Sequence, residues 1–387
     1  MMINELNIRQ ERLQQAIQQA GMDGCLLSVD INLYYIAGQV FSGYFYLPAE
    51  GKAHWFVKRP NGLSADCISY IRKPEQIVEL FMSNGWKLPK KLLLETDEIS
   101  YNECMRLQSA LQLEEIGNAT MAMRQIRELK TPFEIAQFRI SASKHAAVYA
   151  EIKTRYHIGM TDLQFQAEIE KQMRLNGSIG VFQTFGANMN IFMGSVLAGS
   201  NAEMPSPFDF ALGGEGQSPI CPIGANGTVL ENGMTIMVDM VGNYTPYLTD
   251  MTRTFSVGKT SDLAYHAHQV SIDIQNEILQ TAEPGTPCAD LYDKALEKVK
   301  KEGLTDYFMG TKQQAKFVGH GIGLQINELP VLTSRSREVL QPNMVFALEP
   351  KFVIPGIGAV GIENSFLVTE TGLEKLTLFE ENIISLC

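Results

Sequence analysis

The chain has 387 residues, and 43 Asp and Glu against 32 Lys and Arg give it a net charge of −11. That balance excludes binding to nucleic acid or an anionic membrane through bulk electrostatics, because both need a basic face. A hydrophobic content of 45% excludes a disordered chain, and the length predicts two domains.

Residues 5–20 place Leu6, Ile8, Leu13 and Ile17 at helical spacing, which predicts an amphipathic helix ending near Gly21. This N-terminus lacks the apolar core of a signal peptide, and no stretch approaches the roughly 20 apolar residues of a membrane span. A cytoplasmic location with no membrane partner is therefore expected. CLLSVDINLYYIAG predicts a buried strand, a turn at Asp30–Asn32 and a short element closed by Gly38. FSGYFYLPAEGKAHWFVKR predicts a hairpin turning at Ala49, Glu50 and Gly51, and KKLLLETDEIS a further strand. Strands mixed with helices predict a compact α/β domain over 1–122. The boundary is expected near residues 118–126, with a second domain over 123–387.

Thr131-Pro132-Phe133-Glu134 is a helix start, with Thr as the cap, Pro in the first turn and Glu three residues on. Helices are predicted from about Glu134 to His157 and from Asp162 to Asn176. Residues 199–227 are rich in Gly and Pro, and a loop of this length is commonly a lid or a binding loop. Further helices are predicted near 261–280 and from Ala289 to Glu302, followed by strands and turns. Six scattered cysteines with no C-x-x-C pair predict free thiols.

Two segments carry the chemistry. TIMVDMVGNYTPYLTDMTRTFSV predicts two strands around a polar turn at Asn243–Pro246. With the turn centred between Tyr244 and Thr245, Asp239 and Asp250 stand directly opposite each other, where like charges are destabilising. FALEPKFVIPGIGAVGIENSFLV repeats the pattern: Glu349 and Glu363 are equidistant from Gly356 and face one another. Buried unpaired charge is costly. One acid of a pair can be relieved by protonation, but four are better neutralised by cations, and two divalent ions balance four carboxylates. Oxygen donors with one imidazole suit Mn, Fe, Co or Zn. Of the six histidines, His320 in the glycine-rich FVGHGIGLQINELP is the candidate ligand. His54, His145, His157, His266 and His268 read as ordinary histidines.

The order and spacing of these residues resemble the pita-bread metallopeptidases: aminopeptidase P, prolidase, methionine aminopeptidase and the creatinases. The matching segments are VDMVGNYTPYLTDMTRTF, GHGIGL, LEPKF and GIENSFLVTETG. The N-terminal segments RQERLQQAIQQAGMDGCLLS and NLYYIAG resemble the creatinase/prolidase N-terminal domain. The resemblance implies an α+β fold, with a pita-bread catalytic domain preceded by a smaller α/β domain of ribonuclease H-like type. It further implies two divalent metal ions, Mn first, held by Asp239, Asp250, His320, Glu349 and Glu363, with Asp250 and Glu363 bridging. A water between the ions would attack a peptide bond and Glu349 would pass its proton, with Thr252 supporting the ligands. A homodimer is implied as well.

The chain departs from this pattern at four places. A second histidine that follows the ligand histidine by seven residues is replaced by Asn327, which can hydrogen-bond but not titrate. A histidine four residues before the ligand is replaced by Lys316, which could hold a substrate carboxylate. An arginine two residues before the last ligand is replaced by Gly361, and Ser206 is the nearest counterpart of a further histidine. Three readings stay open: a peptidase with altered proton transfer, a metalloenzyme acting on a small non-peptide molecule, and a non-catalytic binding homologue.

Overall fold

The computed structural model describes residues 2–63, 67–186, 192–208 and 210–387. They fall into two compact units, Met1–Arg127 and Glu128–Cys387. In the first, a six-stranded sheet runs in the order Ile68–Tyr70, His54–Arg59, Ser42–Pro48, Gly24–Leu27, Lys91–Leu94, Glu115–Asn118. The hairpin pairs Tyr46 with His54, so its loop spans the expected turn. The turn expected at Asp30–Asn32 is instead the start of a helix, Asp30–Ala37, whose end is Gly38 in the left-handed conformation. Asn32 explains the difference: it is buried, and its amide donates to Glu95 at 2.7 Å. A segment read as a turn is in part a buried hydrogen-bonding device.

The second unit opens on helix Pro132–Ile152, begun by the capping box at Thr131 and Glu134. Asp162–Leu175 starts with a second capping box, Thr161 with Gln164. Helices Asp262–Thr281 and Cys288–Lys301 follow the expected periodicity and pack Val270, Ile274, Leu291 and Ala295 into a core with Phe346 and Phe366. The strands among the described residues form three sheets. Four strands run in the order Ile384–Ser385, Thr249–Ser256, Thr235–Gly242, Gly194–Ala198. Five run in the order Glu328–Leu332, Gly319–Gly321, Val345–Leu348, Asn364–Val368, Leu373–Lys375. Lys351–Ile354 and Gly358–Gly361 make a separate ribbon.

The ribbon and the five-stranded sheet share one register. Leu348 pairs with Asn364 in the sheet, and Lys351 pairs with Gly361 in the ribbon. Between them both chains leave their ladder, at Glu349–Pro350 and at Ile362–Glu363. Proline lacks the N–H that a ladder needs, and the backbone groups freed at the split require other partners. Helix Asp262–Thr281 supplies them from one face. Gln275 donates to the carbonyls of Leu348 and Ile362 at 2.6 and 3.1 Å. Ser271 accepts from Ile362 N at 3.0 Å and donates to the carbonyl of Pro350. Glu349 and Glu363 are thereby turned to face the other hairpin.

Candidate metal centre

In the hairpin of Thr235–Gly242 and Thr249–Ser256, Asp239 pairs with Thr252 and Val241 with Asp250. The expected direct opposition of Asp239 and Asp250 is therefore corrected to a diagonal one. Both acids keep the same face because partners two residues apart share a side. The shift follows from the connecting loop, which is anchored on helix Pro132–Ile152. Thr245 N donates to Ser141 Oγ at 3.1 Å, Ser141 Oγ donates to Tyr247 O at 2.9 Å, and Tyr247 Oη donates to Glu134 at 2.8 Å. Moving the turn by one position places Thr252, rather than Asp250, across from Asp239.

Thr252 is fully buried, and its hydroxyl donates to Glu363 Oε2 at 2.8 Å. Ser365 fixes Asp250 by accepting from its N–H at 2.9 Å and donating to its carbonyl at 3.0 Å. Arg253, on the other face of the strand, holds the two acidic segments together by donating to the carbonyls of Thr252 and Glu363 at 2.8 and 2.9 Å.

His320 enters from the strand Gly319–Gly321. The glycines on either side serve neighbouring strands rather than the ring itself. A Cβ at 319 would stand 2.2 Å from Ala347 O, and one at 321 would stand 1.9 Å from Leu329 O. With Nδ1 near Gly321 O at 3.2 Å, Nε2 lies 3.4 Å from Glu349 Oε1, 3.9 Å from Asp250 Oδ2 and 4.0 Å from Glu363 Oε1. All five residues singled out in the sequence thus converge. Asp250, His320 and Glu363 offer ligand atoms within 4.8 Å of one another.

A sixth residue, Lys351, shares the cluster. Its ammonium donates to Glu349 Oε2 at 2.7 Å, Asp239 Oδ2 at 2.8 Å and Glu363 Oε2 at 2.9 Å, and its side chain is 1% exposed. Gly361 stands opposite Lys351 in the ribbon, where a Cβ would come 2.6 Å from Pro350 O and 3.0 Å from Lys351 Cα. The signal for Lys351 lay in LEPKF: two residues after Glu349, it shares that residue's face if the strand period holds.

The charges divide the cluster into two sides. Burial opposes a charged lysine, but Asp239, Glu349 and Glu363 outweigh it and hold the ammonium well above its ordinary pKa. Burial lifts Glu349, yet Lys351 and His320 overcome it and bring the carboxyl down to about 2. Asp250 is pushed well above the usual carboxylate range by burial, then by the charges of Glu363 and Asp239. Burial and Glu349 likewise raise Glu363. Two oxygens on this second side, Asp250 Oδ1 and Glu363 Oε1, are buried without a hydrogen-bond partner among the described residues. A buried carboxylate oxygen lacking a donor is costly. The carboxylates of Asp250 and Glu363 with His320 Nε2 form a donor set suited to a divalent cation.

The remaining sequence candidates make other contacts. Asn327 accepts from Phe185 N at 2.7 Å and donates to Phe185 O at 2.9 Å, so its amide clamps a backbone segment. Lys316 is exposed. It lines a cavity of about 340 Å³ together with Ser206, Phe208, Phe210, Gln313 and Thr333, and none of the five ligand candidates is in that lining. Ser206 Oγ accepts from Phe208 N at 3.1 Å. The 199–227 loop, whose residue 209 lies outside the described residues, is braced by Asn201, which accepts from Glu215 N at 2.8 Å and donates to Gly224 O at 3.0 Å. His268 accepts from Gly361 N at 3.1 Å, and His145 is buried against Thr249 at 3.1 Å. Neither joins the cluster. No helix among the described residues is long and apolar enough to cross a membrane.

Comparison with known proteins bears on this arrangement. Residues 136–370 match Metallopeptidase family M24, and residues 9–129 match the Creatinase/Prolidase N-terminal domain. The Xaa-Pro dipeptidase of Pyrococcus furiosus is 25% identical over 383 residues, covering 97% of this chain and 99% of that protein. The Xaa-Pro dipeptidase from Bacillus anthracis superposes with a TM-score of 0.81 at 24% identity, covering 98% and 99% of the two chains. The prolidase from Pyrococcus horikoshii OT3 does so with a TM-score of 0.80 at 21% identity, covering 97% and 99%. The α+β pita-bread fold with a creatinase-type N-terminal domain is the architecture these structures share with the chain.

Proposed function

Because the chain belongs to Metallopeptidase family M24, we propose that it is a metal-dependent hydrolase that cleaves an amide bond in a small peptide. The observation that carries this reading is the group Asp250, His320 and Glu363, with two buried carboxylate oxygens lacking a donor. A divalent ion bound there supplies a Lewis acid that polarises a carbonyl and acidifies a water molecule.

The surrounding residues take separate parts. Glu349 is held ionised between His320 and Lys351; it is the residue proposed to pass the proton, and as a weakly basic carboxylate it relays the proton rather than keeping it. Thr252 and Ser365 fix the orientation of Glu363 and Asp250. Such supporting hydrogen bonds typically matter about 10–100-fold in metal affinity or activity. Manganese is the first ion to test among Mn, Fe, Co and Zn, and a homodimer is the working assembly, checked by sedimentation.

The relative from Pyrococcus furiosus makes Xaa-Pro dipeptides the first substrates to assay, beside non-proline dipeptides and longer peptides. The metal-stripped chain is reloaded with Mn(II) or Co(II) and the products are read by mass spectrometry. Cleavage that is lost in His320→Ala and Asp250→Asn supports the reading. A metal-loaded chain that cleaves no member of the panel overturns it. One observation favours a second reading, a metalloenzyme acting on a small non-peptide molecule: Asn327 holds the backbone of Phe185 and offers no titrating group.

A further inference from the structure

Three carboxylates on one side of the cluster already face a cation. Lys351 Nζ has three N–H donors, and Glu349, Asp239 and Glu363 accept at 2.7, 2.8 and 2.9 Å. Those separations suit an ammonium, whereas Zn–carboxylate bonds, for example, run at about 2.0–2.2 Å. Lys351 opens the ribbon two residues after Glu349, and Gly361 permits the close approach of the strand beside it. The opposite side is different. Asp250 Oδ1 and Glu363 Oε1 are buried without a hydrogen-bond donor among the described residues, and His320 Nε2 lies 4.0 Å from Glu363 Oε1 and 3.9 Å from the other Asp250 oxygen, Oδ2.

We propose that Lys351 permanently takes one of the two cation positions in the acidic cluster, so that the centre accepts one divalent ion, held by Asp250, His320 and Glu363, instead of two. The inference rests on the reading of this cluster as a metal site and is independent of the substrate. Four carboxylates beside one ammonium and one divalent ion leave a single formal negative charge. A second divalent ion would have to share the carboxylates of Asp239 and Glu349 with an ammonium already at hydrogen-bond distance. Like charges at such separation repel strongly in a buried site. The arrangement separates roles: Lys351 holds three acids in place, and the ion is bound by the oxygens that remain.

The test is metal stoichiometry in the full-length chain, stripped by chelator and reloaded with Mn(II). Equilibrium dialysis with elemental analysis is expected to give one tightly bound ion per chain, lost in Asp250→Asn. Lys351→Ala, shown folded by circular dichroism and its unfolding midpoint, is expected to bind two. The electron paramagnetic resonance spectrum of the unmutated Mn(II)-loaded chain is expected to be that of a magnetically isolated ion, a readout that stands even where the variant does not fold. An exchange-coupled pair, two tight ions or no ion in the unmutated chain overturns the proposal. So does a stoichiometry unchanged in folded Lys351→Ala. Absence of peptide cleavage by a chain carrying one ion counts against the hydrolase reading alone.

Discussion

Lys351 Nζ lies 2.9 Å from Glu363 Oε2, while Oε1 of the same carboxylate is buried with no hydrogen-bond partner among the described residues. One side chain thus has one oxygen compensated by the protein and the other available to a ligand. Glu363 marks the division between the two sides of the cluster, and what it needs depends on what Lys351 already provides.

Removing Lys351 should therefore cost stability in a metal-dependent way. In metal-free solution Lys351→Met is expected to destabilise the chain by about 3–5 kcal/mol, the usual cost of leaving buried charge uncompensated. Excess Mn(II) should recover much of that loss by binding the folded state. Denaturant unfolding with and without Mn(II) measures both, and a variant equally stable in the two conditions would contradict the account.

Thr252 is expected to act through Glu363. Thr252→Val removes a hydroxyl that donates at 2.8 Å to a buried carboxylate. A hydrogen bond to a charged group contributes about 1.5–3 kcal/mol, and metal affinity should fall about 10–100-fold. Calorimetric titration of Mn(II) into Thr252→Val and Thr252→Ser checks this, since serine keeps the donor.

Gln275 should matter although it touches no candidate ligand. It donates to Leu348 O and Ile362 O and accepts from Asn364 Nδ2 at 2.8 Å. Gln275→Leu strands these buried groups, each costing about 1–3 kcal/mol. A large fall in the unfolding midpoint is expected, with weakened metal binding because Glu349 and Glu363 flank the split. A neutral result would show that the split is held by other contacts.

His268 is expected to give an acid-side loss of stability. Burial lowers its pKa from the ordinary value of 6.5 to about 4. Above pH 6.5 the ring is neutral in both folded and unfolded chains, so the stability is fully present there. As pH falls towards 4 the unfolded chain takes up a proton that the folded chain refuses. Unfolding free energy should drop by at most about 1.4 kcal/mol per pH unit from this one group. His268→Gln is expected to flatten the profile between pH 6.5 and 4, and an unchanged slope would rule the group out.

Asn327→Ala tests the residue that stands where the resembled pattern has its second histidine. Its amide clamps the backbone of Phe185 at 2.7 and 2.9 Å. The substitution should lower stability by about 1–3 kcal/mol and leave the shape of any pH–rate profile unchanged, because an amide does not titrate. A changed profile would return Asn327 to the proton path.

The amino-acid order alone determined the helix starts at Thr131 and near Asp162, the strand character of both acidic segments, and the identity of five side chains that converge. Caps and alternating burial depend on neighbours a few residues away, so they are legible in a linear reading. The register on either side of Glu349 and Glu363 was legible for the same reason, because a short turn at Gly356 sets it, but the break in the ladder at the two acids themselves was not. The register of Asp239 and Asp250 was not, because Ser141 and Glu134, more than a hundred residues upstream, anchor their turn. Tertiary structure alone decided that Asn327 holds the backbone of Phe185 and that Lys316 lines a cavity whose lining includes none of the five ligand candidates. It also decided the place of Lys351. Strand periodicity gives a lysine its face but not its partners, and a flexible four-carbon stem reaches three acids only once two hairpins have been folded against each other.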